Sequence, residues 1–429
     1  MITWLVPRQD LTPDQARVVE LPPTANRVVL GMAGSGKTQV LVHRAAHLAE
    51  KFNIPPERYR VFVFTNVIKE YIRSGLEFLD LPDHVVSTFD FWCGGLFQKH
   101  FGPRLPRKPN GRDIDFLAIR RRVLGLIRAT RDLQNSLEFV LVDEGQDLSP
   151  EAYEIIQEAA RHVTVFADPQ QKIFDDGADA GFISDRLQVT TPQISILGAF
   201  RNAIYVAELA AHFIEDLEKR AQFLAQISAA QRVKERPLCY VADSFDQELD
   251  RLAEVIRARQ VLNERIGIIV PTNRLLHGLA EGLAERGVTV EKAATKENAG
   301  KVEVTCAFTN LVPKIATFFM AKGLTFDSVL LPRLTAKAYY YINRERMKRM
   351  MFVGIARATQ WVYLSTVKGT EFDAMAVLRE AVYQGHLTMQ GSGEWRAGAD
   401  SGGEGERVRG EGSRDTGRRE PEEDDFSVL

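Results

Sequence analysis

Residues 31–38 read Gly-Met-Ala-Gly-Ser-Gly-Lys-Thr, directly after the apolar run Val28-Val29-Leu30 and directly before a helix-like stretch from Gln39 to Glu50. Gly31, Gly34 and Gly36 let the backbone take angles closed to other residues, so that amide N–H groups can wrap an anion at a helix start. The G-x-x-x-x-G-K-[ST] spacing puts the Lys37 ammonium on phosphate oxygens and the Thr38 hydroxyl on a magnesium ion. The whole loop, Gly31, Met32, Ala33, Gly34, Ser35, Gly36, Lys37 and Thr38, is therefore a candidate nucleotide-phosphate cradle. Such a cradle works at the carboxyl end of a strand that feeds a helix, so the chain must contain an α/β domain.

The pattern downstream agrees. Short β-rich runs at Arg27–Leu30, Arg60–Thr65, Val85–Ser87, Phe139–Val142 and Val163–Ala167 alternate with helical periodicity, the signature of a parallel sheet covered by helices on both faces. A second set follows at Ser195–Leu197, Leu238–Val241, Gly267–Val270, Val302–Cys306, Ser328–Leu331 and Trp361–Ser365, with helices expected over Ile204–Phe223, Gln247–Arg257 and Leu275–Arg286. A chain of 429 residues is too long for one core, and the reading is two α/β domains in series, over residues 1–195 and 196–390. From about Gly391 the chain carries 9 glycines and a net charge of −5 in 39 residues, so a disordered acidic tail is expected over 391–429.

Nothing in the chain reaches the run of roughly 18 apolar residues that a membrane span needs. Cys93, Cys239 and Cys306 lie far apart, match no zinc or disulfide spacing and suit a reducing cytoplasm. The overall charge of −2 hides a basic stretch: residues 99–131 hold 10 Lys or Arg against 2 Asp. Such a stretch is either a phosphate-contacting patch or a solvated helix face, and charge alone leaves both open.

Phe139-Val140-Leu141-Val142-Asp143-Glu144 is an apolar strand ending in two acids, followed by Gly145-Gln146-Asp147. Beside a phosphate loop, such a strand delivers one carboxylate to magnesium and a second that polarises the attacking water. Asp143 and Glu144 are the candidates for those roles, with Thr38 as the second magnesium ligand.

These motifs, with others in the same order, resemble those of superfamily 1 helicases of the UvrD/Rep type, in a compact form with reduced accessory insertions. The resemblance rests on Leu11-Thr12-Pro13-Asp14-Gln15, Phe62-Val63-Phe64-Thr65-Asn66, Ser87-Thr88-Phe89-Asp90-Phe91, Val142 to Asp147, Phe166-Ala167-Asp168-Pro169-Gln170-Gln171, Phe200-Arg201-Asn202, Ala321-Lys322-Gly323-Leu324-Thr325-Phe326 and Val353-Gly354-Ile355-Ala356-Arg357-Ala358. It implies two tandem RecA-like domains that bind ATP and Mg2+ at their cleft. Gln15 would then read the adenine edge and Phe200 would stack on the base. Gln171 would sense the γ-phosphate, and Arg201 and Arg357 would reach it from the second domain. Phe64, Thr65, Asn66, Thr88, Phe174 and Lys322 would contact DNA. Phe62 and Phe64 stand two apart, so a continuous strand would turn both to one face.

The implied activity is ATP-dependent 3′→5′ movement on single-stranded or partly duplex DNA. The alternative is a nucleic-acid-stimulated ATPase serving as motor or sensor in a repair or phage-defence complex. Several positions depart from the family pattern. Ile173-Phe174-Asp175-Asp176-Gly177 lacks the usual tryptophan and arginine, Phe319 stands in place of a histidine, and Thr325 in place of a glutamate. Only 47 residues separate Phe91 from Phe139, room for a small basic insertion over about 92–138. The short insertions and the acidic tail favour a protein partner.

Overall fold

The computed structural model describes residues 4–32, 34–111, 113–168, 180–198, 203–225, 235–298 and 301–391. Ala33, Gln171, Phe174, Phe200, Arg201 and the acidic tail beyond Gly391 lie outside the described residues. The first sheet is built from β1 (Arg27–Gly31), β2 (Tyr59–Val63), β3 (Val86–Thr88), β4 (Phe139–Val142), β5 (Val163–Ala167) and β6 (Ile194–Leu197). Its order is β3-β2-β4-β5-β1-β6 and every pairing is parallel.

The second sheet holds β7 (Leu238–Ala242), β8 (Ile266–Val270), β9 (Glu291–Lys292), β12 (Lys314–Thr317), β13 (Phe326–Leu331), β14 (Ala358–Val367) and β15 (Thr388–Gly391). Its order is β15-β7-β14-β13-β8-β12-β9, again all parallel. Between β9 and β12 an antiparallel hairpin, β10 (Thr295–Asn298) with β11 (Lys301–Val304), stands outside it. These are two tandem parallel-sheet domains of the RecA-like type.

Alternation of side chains explains how the two halves join. Val28, Phe62, Val140 and Val165 point to an outer core under the helices Phe89–Phe101 and Phe116–Ala129. Ile266, Ile268, Val270 and Leu330 point to an outer core of the second sheet. The opposite faces, Val29, Val61, Leu141 and Phe166 from one sheet and Ile269, Val329 and Leu331 from the other, belong to one continuous apolar cluster. Strands buried on both faces read as unbroken apolar runs, as these do.

A recurring device ends the strands. Thr65 and Thr272 just after a strand, and Thr88 and Thr317 as the last residue of one, cap the next helix, accepting the N–H of Ile68, Leu275, Phe91 and Met320 at 3.1, 3.3, 3.3 and 3.3 Å. Each cap satisfies a helix N–H that would otherwise lack an acceptor.

Several expectations are corrected. Ser195–Leu197 lies within β6 of the first sheet, pairing with β1 from Val28↔Ile194 onward, because a β-rich run carries no label for the sheet it joins. We therefore place the domain boundary after Leu197 and before the helix Ile204–Ala211, where Ala203 already donates to the Thr359 carbonyl of the second domain. The run Val302–Cys306 supplies the antiparallel hairpin, and Lys314–Thr317 takes the expected sheet position. The helix expected over Ile204–Phe223 is broken into Ile204–Ala211 and Leu217–Ala225. Gly391, taken as the start of the tail, ends β15 beside Val241. Phe62 and Phe64 occupy opposite sides, in the outer and continuous cores respectively, because β2 stops at Val63.

Part of the basic stretch is engaged within the first domain, while Lys99, Arg104, Lys108 and Arg131 are exposed. Arg120 makes paired bonds to Asp90 at 2.9 and 2.8 Å and a third to Ser149. Arg122 lies over Phe101 at 4.9 Å, and Arg128 pairs with Glu158 at 2.9 Å. Arg121 is exposed.

Gly267 in β8 shows how tightly the second sheet is packed. A Cβ there would fall 2.4 Å from the Phe326 ring. Gly267→Ala should destabilise the second domain by about 1–3 kcal/mol, the usual cost of overpacking. Thermal unfolding checks this; an unchanged Tm would mean that Phe326 has room to move.

Candidate functional site

The glycine-rich loop sits where β1 meets the helix Lys37–Lys51. Gly34 and Gly36 take φ of 79° and 80°, in the left-handed region, which turns the chain into that helix. Lys37 folds back over the loop and donates to the carbonyls of Gly31 at 2.8 Å and Met32 at 3.2 Å, with Asp168 at 3.5 Å. Thr38 donates to Asp143 at 3.0 Å, linking the segments that follow β1 and β4, the two strands that flank β5.

Glu144 is held at φ 49°, a left-handed conformation that costs a non-glycine residue about 1–2 kcal/mol. Its N–H donates to the Asp143 carboxylate at 3.1 Å, which compensates part of that strain. Gln146 orients the Glu144 side chain by donating to it at 2.6 Å, and accepts the Asp168 N–H at 3.0 Å. The acidic turn after β4 is thereby tied to the end of β5.

The second domain reaches directly into this turn. Lys322, after the short helix Phe318–Ala321, forms an ion pair with Asp147, and both side chains are 0% exposed. Gly323 follows at φ 80°; a Cβ on it would meet Ile68 of the first domain at 2.7 Å. Arg357, 6% exposed, lines the same cavity as Gly34, Gly36, Lys37, Thr38, Glu144 and Thr325. The cradle and the arginine thus face each other across the domain seam.

Charge explains the protonation states. Burial pushes the Glu144 carboxyl up, but Lys322, Lys37 and Arg357 together outweigh it and hold the group well below the usual carboxylate range. Burial and the adjacent Glu144 charge push Asp143 up, against the pull of Lys37 and the Thr38 hydrogen bond. Burial draws Arg357 down, opposed by Glu144, Asp168 and Asp143. Two carboxylates this close cannot both ionise freely without added positive charge.

The oxygen donors Thr38 and Asp143 fit a magnesium ion that takes its remaining ligands from phosphate and water. Among the described residues no cluster of three or more His, Cys, Asp or Glu could hold a metal alone.

Other expected contacts are engaged within the protein. Gln15 donates to the Ser35 carbonyl at 2.9 Å and accepts the Thr12 N–H at 3.0 Å, bracing the phosphate loop with its whole amide. Thr65 and Thr88 are the helix caps described above, and Asn66 accepts from Lys69 at 3.0 Å. Phe64 packs edge-on against Phe319 at 5.2 Å, with the Lys322 ammonium 5.8 Å from its ring centre. Phe319 thus fills the seam apolarly, and Lys322 is sealed inside it.

Sequence reasoning missed Trp4 and Tyr71, which stack at 4.7 Å and line the cavity beside Lys37 and Arg357. Trp4 lies upstream of every motif, and Tyr71 follows ordinary helical spacing, so neither carried a signal. The roles of Gln146 and Asp147 were legible only as members of a motif. Burial raises the thiols of Cys93, Cys239 and Cys306, which disfavours their thiolate forms.

A model of the UvrD/REP helicase N-terminal domain matches residues 11–121 and 107–186. A probable DNA helicase II homolog from Mycoplasma capricolum is 38% identical over 82 residues, 18% of this chain and 11% of that protein. A putative ATP-dependent DNA helicase from Bacillus subtilis, YjcD, is 44% identical over 63 residues, 15% of this chain and 8% of that protein. The chain therefore spans about a tenth of the length of these curated relatives. The C-terminal domain of a possible DNA helicase from Lactobacillus plantarum overlays 45% of this chain and 99% of that one, at 16% identity and a TM-score of 0.33, too low to carry an argument.

The Lys322–Asp147 pair generates a stability test. Removing one member of a buried ion pair strands the other charge and costs about 3–5 kcal/mol, whereas replacing both by apolar groups costs far less. Lys322→Met and Asp147→Leu should each lower the Tm more than the double variant does. A double variant as unstable as the sum of the singles would show that the two charges do not depend on each other.

Proposed function

We propose, from the match of residues 11–121 and 107–186 to the UvrD/REP helicase N-terminal domain, that this chain is a motor of the UvrD/Rep type and binds ATP with Mg2+ in the seam between its two domains. We propose further that it hydrolyses the nucleotide to move along single-stranded DNA in the 3′→5′ direction. The observation that carries this reading is convergence. Lys37, Thr38 and Glu144 of the first domain and Arg357 of the second line one cavity, with Asp143 bonded to Thr38.

Each residue has work suited to its chemistry. Lys37 exchanges its bonds to the Gly31 and Met32 carbonyls for phosphate oxygens. Thr38 and Asp143 hold the magnesium ion, which neutralises phosphate charge when bound. Glu144, ionised by the three surrounding cations, accepts the proton of the attacking water. Arg357 offers a planar, permanently charged fork to the charge that develops on the transferring phosphoryl group. Gln171 and Arg201 are proposed to join them, and Phe200 to stack on the base. Gln15 acts through the loop it braces, and turns to the adenine only by releasing Ser35.

The two acids are deeply buried, Asp143 at 2% and Glu144 at 3% exposed. In this reading nucleotide entry parts the domains and breaks the contacts of Lys322 and Gly323 with the first domain. Hydrolysis and release would cycle the same contacts, which couples chemistry to domain movement. Phe64, Thr65, Asn66, Thr88 and Phe174 remain the proposed DNA contacts. A cytoplasmic setting fits the three free cysteines, and no helix among the described residues is long and apolar enough to cross a membrane. An ATPase subunit that depends on a protein partner for unwinding is the second reading, favoured by the small size of the 92–138 segment.

Lys37→Ala should abolish ATP turnover, and Arg357→Ala should slow kcat by roughly a thousandfold or more, the usual worth of such an arginine. Steady-state ATPase with and without single-stranded DNA measures both. Near-normal turnover in Lys37→Ala would overturn the hydrolase reading. A strand-displacement assay with the wild-type chain separates an autonomous motor from a partner-dependent one.

A further inference from the structure

The segment after β13 presents a surface that none of the motifs accounts for. Residues 333–349 hold Arg333, Lys337, Arg344, Arg346, Lys348 and Arg349 against the single acid Glu345; Arg333 pairs with Glu248 at 3.2 Å and Lys348 with Glu215, which leaves Lys337 and Arg344 as the exposed cations of the segment. In their midst Tyr340 and Tyr341 are each 77% exposed, with ring centres 5.0 Å apart in an edge-to-face arrangement. Lys337 and Arg344, on either side, are exposed as well. Large aromatic rings held in water amid positive charge are costly unless something covers them.

The segment is firmly anchored. Arg333 takes φ 61°, its N–H donates to Glu248 at 2.9 Å, and its guanidinium lies 4.3 Å from the Phe245 ring centre. Leu334 donates to the Ser365 carbonyl at 2.9 Å. Tyr339 turns inward, 4% exposed, and packs on Phe372 at 5.2 Å. Ile342 donates back to the Tyr339 carbonyl at 3.0 Å, and Asn343 caps the helix Arg344–Ile355. One tyrosine is thus a buried peg that fixes the next two outward. A platform ordered in advance loses little entropy when a ligand arrives.

Its position on the sheet matters too. β12, β8 and β13 are neighbours and parallel, so the segments that follow them leave the same edge. The segment after β12 carries Lys322 into the domain seam, and the one after β13 carries the tyrosine pair.

We propose that Tyr340 and Tyr341 form a stacking platform for unpaired bases of single-stranded nucleic acid, with Lys337 and Arg344 contacting its phosphates. The proposal rests on the nucleic-acid motor reading and adds a second-domain contact site to it. Two exposed rings between cations match bases alternating with phosphates, a sequence-tolerant mode of binding. A duplex hides its base faces and offers the platform only phosphate charge.

The test is fluorescence anisotropy of the full chain with a labelled oligothymidylate and with a duplex of equal length. The pair Tyr340→Ala and Tyr341→Ala should weaken single-strand binding roughly five- to hundredfold, with little change for duplex, and both Tyr→Phe replacements should restore it. Lys337→Gln with Arg344→Gln should flatten the dependence of log K on log salt by about 0.7 per lost phosphate contact. Because the replaced side chains are exposed, Tm should not move. Crosslinking of the wild-type chain to a halogenated-uracil oligonucleotide should label residues 333–349, and needs no variant. Wild-type binding matched by the alanine pair, or label confined to the first domain, would overturn the platform alone and mark the tyrosines as a protein-contact surface. Equal losses for duplex and single strand would overturn stacking. A wild-type chain that binds no oligonucleotide would overturn the motor reading itself.

Discussion

Buried charge at the domain seam governs the molecule. The turn after β4 buries the carboxylates of Asp143, Glu144 and Asp147. Carboxylates there are tolerable only beside compensating cations, and those come from both sides: Lys37 from the first domain, Lys322 and Arg357 from the second. Coulombic attraction in a poorly solvated site is strong, and desolvation makes an unpartnered charge costly. The seam is therefore held by charge as much as by apolar contact. The same arrangement holds the Glu144 carboxyl well below the usual carboxylate range and pushes that of Asp143 up.

Around that centre, the parallel topology performs two tasks. It buries both faces of each sheet, so the inner faces fuse into a common apolar cluster that holds the seam. It also sends the segments that follow the strands to one edge, where threonines repeatedly start the next helix. Thr65 and Thr88 are accordingly structural before they are anything else. A ligand can still approach the amides of those helix starts, but the hydroxyls are already engaged. Lys322 shows the same shift: a residue the family pattern offers to DNA is here a sealed interdomain tie.

Much of the first domain was legible. An unbroken phosphate-loop string after Val28-Val29-Leu30 required a strand and a helix on either side, and both are present. The acids after Phe139–Val142 reach the loop because β4 and β1 flank β5 in the sheet. Less legible were Trp4 and Tyr71, whose importance arises from a stack between chain segments far apart in sequence. The basic stretch 99–131 was ambiguous because composition counts charges without their partners. Asp90 and Glu158 neutralise Arg120 and Arg128 only once the helices are side by side.

The sequence by itself determined the chemistry available: a glycine-permitted phosphate cradle, two acids at a strand end, a guanidinium in the last motif, and apolar runs suited only to parallel sheets. Those properties reside in local spacing and side-chain type, which neighbours in the chain specify. Tertiary structure alone decided which sheet Ile194–Leu197 would join, which side of the sheet Phe64 would take, and that Lys322 would meet Asp147. Strand pairing, facing and ion pairing are contests among distant segments for burial and compensating charge. No local pattern records who wins them.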